Sequence, residues 1–119
     1  MGLLVDAFRQ NSLGEMEFLD PHDPSMESAG LETDRATFYG GEAARSLGLR
    51  LLPLLVERDL CVEGEDLRRL KDEAIVVLAN VIRFVDQAHA DVDCLRGQIQ
   101  NILAAIERAQ QEGGGVVIW

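Results

Sequence analysis

Much of what would announce a chemistry is missing from this chain. It has no HExxH or Glu-x-x-His pair, no CxxC, and no GxxxxGK[ST], GxGxxG or GxSxG signature. Zinc hydrolases, di-metal carboxylate bundles, dithiol redox centres, phosphate-binding loops and nucleophile elbows all need one of these patterns. Gly113, Gly114 and Gly115 follow a helical stretch. A phosphate loop needs a helix after its glycines, so this run reads as a linker.

Aromatic residues are few, with four Phe, one Tyr and one Trp. The core must then be built from Leu, Val, Ile and Ala, which suits helix packing. The two cysteines, Cys61 and Cys94, fit no zinc spacing with the two histidines. Cys61, between Leu60 and Val62, is expected to be a small core residue, and Cys94 lies near a helix N-terminus. Apolar runs are too short for a membrane span, and the first ten residues lack the basic region of a signal peptide. The expected compartment is the cytoplasm, with both thiols reduced. Lysine is nearly absent, Lys71 being the sole one beside ten arginines. This is a codon-level hint of a GC-rich bacterial source.

What the chain does have is negative charge. It carries 21 acids against 11 bases, a net of −10 over 119 residues. Such a surface repels phosphates, so neither nucleic acid nor an anionic membrane is an expected partner, whereas a basic protein is. The acids are concentrated early: Asp6, Glu15, Glu17, Asp20, Asp23, Glu27, Glu32 and Asp34 face only Arg9 and Arg35 before residue 41. Glu15, Glu17, Asp20, Asp23, Glu27, Glu32 and Asp34 are therefore the candidate protein-binding residues. The basic cluster Arg68, Arg69 and Lys71 reads as a solvated helix face paired with Glu65, Asp72 or Glu73.

Periodicity predicts helices. From Glu65 to His89 one stripe runs through Leu67, Leu70, Ala74, Val77, Val81, Phe84 and Ala88, and a second through Ile75, Leu78, Ile82 and Val85. Two stripes predict a helix buried on several sides. A further helix, from Asp91 or Val92 to Gln111, carries Val92, Leu95, Ile99, Ile102, Ile106 and Ala109, with Asp91 as its N-cap. Gly97 inside it suggests close approach of another backbone. A third stretch, Glu42 to Asp59, is interrupted by Pro53, giving two short helices or one kinked helix.

The expected fold is a single, mainly α domain, a bundle of three to four helices. Residues 1–40 form an irregular segment, 41–111 the helical core, and 112–119 a glycine linker with an apolar tail. The alternative is α+β, with a small sheet made from the N-terminal segment and residues 116–119, whose β-branched character suits a strand.

Two histidine settings resemble sites. His22 stands between Asp20 and Asp23 in a proline-bounded turn, and Asp86, His89 and Asp93 have helical spacing. Turn chemistry accounts for the first and helix-end electrostatics for the second. No cofactor or metal is expected, and no catalytic residue is assigned. The functional expectation is a small protein-binding module, of the inhibitor or immunity type for a basic partner. The alternatives are a structural homo-oligomer, such as a homodimer, and an enzyme or ligand or metal carrier with an unfamiliar site.

Overall fold

The computed structural model describes residues 2–19, 27–85 and 91–119. Its strands are β1 (Gly2–Gln10), β2 (Met16–Leu19), β3 (Ser28–Leu31), β4 (Leu60–Glu63) and β5 (Gly115–Ile118). Its α-helices are α1 (Glu42–Ser46), α2 (Glu65–Ala79) and α3 (Val92–Glu112). A π-helical turn covers Arg35–Tyr39, and 3-10 turns cover Leu52–Val56 and Val81–Phe84.

The mainly α expectation is thus corrected. The chain is α+β, with 54% of the described residues helical and 24% in strands, the latter forming a five-stranded antiparallel sheet. The alternative sheet, from the N-terminal segment and the tail, is the one formed, and β4 joins it. The order is β2-β1-β5-β4, with β3 also on β1. β1 holds the sheet together because it is long enough to pair twice along one edge. Gly2 to Leu4 pair with β3, Ala7 to Gln10 with β2, and the opposite edge takes β5 over Val5 to Phe8. A tight hairpin joins β1 to β2. Asn11 Oδ1 accepts the N–H groups of Leu13 and Glu15, each at 2.9 Å.

The glycine run is no linker. Gly113 closes α3 in the left-handed conformation, at φ 67°. A Cβ on Gly114 would lie 1.8 Å from the Phe8 carbonyl oxygen. Only glycine lets the chain turn off α3 and enter β5 this close to β1. Gly97 is the converse case, since a Cβ there would meet nothing within 4 Å. The expected close approach is absent at that position.

Helices α2 and α3 cover one face of the sheet. Leu3, Val5, Ala7, Leu60, Val62, Val116 and Ile118 point toward them and are buried, as are Leu95, Ile99, Ile102, Ile106 and Ala109 of α3. Each such Leu, Val or Ile side chain contributes about 1.5–3 kcal/mol by leaving water, and each Ala about 0.8 kcal/mol. Asp91 caps α3 as expected, accepting the Cys94 N–H at 2.8 Å.

The long helix predicted to His89 ends at Ala79. Asn80 leaves helical geometry (φ −119°, ψ 22°), and its Nδ2 donates to the Val76 carbonyl at 2.8 Å. Short polar side chains of this kind compete with the helix for its own backbone groups. The first stripe is buried through Phe84. Of the second, Ile75 and Ile82 are exposed and Leu78 and Val85 half-buried. The helix is therefore covered on one side only, because the sheet and α3 meet only that side. Ala88 and His89 lie outside the described residues.

The Glu42–Asp59 stretch forms two short helices, as one of the two expectations had it, but the break falls at 47–51, where Gly48 is left-handed at φ 77°, and Pro53 sits in the first turn of the second helix. The second begins against α2, where the Glu73 carboxylate accepts the N–H groups of Arg50, Leu51 and Leu52 at 2.9–3.1 Å. Glu73 thus acts as a cap from another helix and does not pair with the basic cluster. Nearby, Phe38 stacks on Phe84 at 5.0 Å, and the buried Tyr39 hydroxyl donates to the Ala29 carbonyl at 2.6 Å.

Candidate functional site

The helices cover one face of the sheet, and strand alternation sends every second side chain to the other. On β1 this outer set is Leu4, Asp6, Phe8 and Gln10, and the cross-strand partners follow from the register. Met16 and Phe18 of β2 lie opposite Gln10 and Phe8. Val117 of β5 lies opposite Asp6 and beside Cys61 of β4. Trp119 exchanges both backbone hydrogen bonds with Leu4, at 2.7 and 2.9 Å. Leu31 of β3 lies opposite Gly2.

This face is apolar and uncovered. Leu4, Met16, Phe18, Leu31 and Trp119 are 42–51% exposed. They surround the better-buried Phe8 and Val117. A cluster of exposed apolar side chains with aromatic residues among them is a common mark of an interaction site. Its middle is organised. Trp119 Nε1 donates to Asp6 Oδ2 at 2.8 Å, and the Trp119 and Phe18 rings meet at 5.5 Å between centroids, tilted by 31°. The indole thus reaches over β1 to a half-buried carboxylate. The strand positions on this face carry acids, Asp6 and Glu63, and no base.

Cys61 belongs to this face. Leu60 and Val62 point inward, so Cys61 is exposed and not the core residue its apolar neighbours suggested. Burial beside the sheet, aided by Glu63, pushes its thiol pKa up. Cys94 is exposed on the first turn of α3.

The candidate acids from the sequence scatter. Glu15 is exposed on the hairpin, and Glu17 pairs with Arg9, which also holds Glu112 at 3.0 Å. Glu27 is half-buried, and Glu32 pairs with Arg35 at 2.9 Å. Asp34 is buried, its Oδ2 accepting the Leu31 N–H at 2.8 Å. Asp20, Asp23, His22, Asp86 and His89 lie outside the described residues. Asp93 is exposed beside Arg96. Among the described residues no group of three or more His, Cys, Asp or Glu side chains converges as a metal site would require. The basic cluster is solvated, with Arg69 on Asp66 at 3.3 Å. On the opposite side of the molecule a groove of about 730 Å³ runs between α2 and α3, lined by Lys71, Ile75, Leu103 and Glu107 among others.

Comparison with known proteins adds little. No family model matches the chain, and no solved structure does. A stretch of 50 residues is 38% identical to keratin, type II cytoskeletal 8, from Protopterus aethiopicus. It amounts to 42% of this chain and spans 9% of that protein, a share that assigns no family. Among the described residues no helix is long and apolar enough to cross a membrane.

Proposed function

We propose that this chain is a small acidic protein-binding module of the cytoplasm, of the inhibitor or immunity type, that docks a basic partner through the outer face of its sheet. The observation that carries this reading is the uncovered apolar face centred on Trp119, Phe18 and Asp6, on a chain of net charge −10. Apolar burial supplies affinity, and the acidic surface speeds encounter with a positively charged partner. Glu63 of β4 stands at one edge of this face and adds to its negative field.

The two cysteines supply the test. The full chain is immobilised, exposed to lysate from its source, and washed at low and then high salt. Bound and free chains are alkylated at mildly alkaline pH, which offsets the raised pKa of Cys61. The expected result is a basic protein that high salt releases and that shields Cys61 while Cys94 still reacts. Equal protection of both thiols, salt-insensitive capture, or recovery of the bait alone would each count against the reading. Bait recovered alone with a mass that rises with concentration would point instead to self-assembly, with Ile75 and Ile82 of the helical layer as its natural contact.

A further inference from the structure

We infer that Asp6 is the receptor for an arginine side chain of the partner, an assignment that rests on the docking face proposed above. The carboxylate lies half-buried in an apolar field, with Leu4 and Phe8 on either side along β1 and Val117 across from it. One neutral donor, the Trp119 indole, reaches it. Among the described residues no base pairs with it.

In the free chain water solvates what the indole does not. A partner that covers this face strips that water away. A carboxylate so stripped and left without a countercharge opposes binding strongly. Whatever covers the face must therefore bring a cation to Asp6. A second copy of this chain is disfavoured through the same face, because the described residues of that face offer only acids. The requirement thus selects a basic partner and disfavours a symmetric, face-to-face dimer.

The surroundings select arginine over lysine. The indole that donates to the carboxylate packs against the Phe18 ring, 5.5 Å between centroids, so aromatic faces stand close to Asp6. A guanidinium is flat and weakly hydrated, so it can lie on an aromatic ring and donate in its own plane to a carboxylate. An ammonium is a compact, strongly hydrated charge and gains less from the rings.

The probe is N-acetyl-arginine amide, titrated into the full-length chain beside N-acetyl-lysine amide. The indole N–H resonance of the single tryptophan is the readout. The arginine compound is expected to shift it saturably, at concentrations lower than the lysine compound needs by about threefold or more. Asp6→Asn keeps an acceptor for the indole and removes the charge. It should weaken the arginine response by about tenfold, with an unchanged circular dichroism spectrum. Phe18→Leu keeps the charge and removes one ring, and should bring the two compounds level. An absent or unsaturable shift, an equal lysine response in the parent chain, or indifference to Asp6→Asn would overturn the assignment. A natural partner that protects Cys61 equally well in Asp6→Asn would overturn the arginine assignment and leave the docking face standing. An arginine-selective shift with no captured partner would keep the Asp6 site and remove the protein-partner reading.

Discussion

The two faces of one sheet have had opposite fates. Toward the helices, Leu3, Val5, Val116 and Ile118 are wholly buried. Toward solvent, Leu4, Phe18 and Trp119, from the same strands or the residue that follows them, keep 42–46% of their surface in water. Composition does not separate the two sets, since both are apolar. What separates them is that α2 and α3 lie on one side, while on the other Phe8 and Val117 are buried by neighbours on the face itself and no described helix covers the residues around them. The inner face holds the fold together. The outer face spends apolar and aromatic side chains where they add little stability, and that is why it, and not a cleft, is the functional candidate.

The largest test of this contrast is a pair of truncations. Ile102→Ala removes a wholly buried side chain of α3 and should cost about 2–5 kcal/mol, read from urea unfolding. Phe18→Ser removes a larger side chain from the outer face, yet, being about half in water, should cost less, about 1–2 kcal/mol, while weakening partner capture. If the two variants lost similar stability, the outer face would be part of the core and the docking proposal would lose its basis.

A smaller effect tests whether polar groups or apolar packing fix the inner side. Glu73→Ala leaves the N–H groups of Arg50, Leu51 and Leu52 without their acceptor. The expected loss is about 1–3 kcal/mol, with faster amide hydrogen exchange confined to residues 50–56. Unchanged exchange there would show that Leu52 and Leu55 anchor this turn by burial alone.

The helical half was more legible in the sequence than the sheet. In α3 the steps of three and four from Leu95 to Ala109 admit one reading, and Asp91 and Gly113 mark its ends. In β1 the run Leu3-Leu4-Val5 is apolar on both sides of a strand, so alternation is hidden and a helix fits as well. β4 is only four residues long and runs straight into α2. The second stripe of α2 misled because period shows which residues share a face, not whether anything covers that face. The candidate site was not legible at all. Asp6, Phe18 and Trp119 come from three strand segments, and the Asp6–Trp119 bond joins residues 113 apart in sequence. Acid density drew attention to the first forty residues, but register picked Asp6 out of them.

The smallest effect concerns the one buried hydroxyl among the described residues, on the inner side. Tyr39 is the only tyrosine, and its hydroxyl donates to the carbonyl of Ala29 in β3. Burial, reinforced by the Asp34 carboxylate, pushes its pKa far above the ordinary value of 10.0. Below that ordinary value the folded and unfolded chains both keep the proton, and the contribution of Tyr39 to stability is whole. Above it the unfolded chain releases the proton and the folded chain does not, so stability falls as pH rises. Urea midpoints should therefore decline in alkaline buffer, and phenolate absorbance should appear only together with unfolding. Tyr39→Phe should remove this part of the decline, at a cost of about 0.5–1.5 kcal/mol near neutral pH for the orphaned Ala29 carbonyl. Phenolate absorbance rising at the ordinary pH in a chain that is still folded would mean that water reaches the inner side. The difference between the two faces would then be one of degree, and the outer face would need another argument for its role.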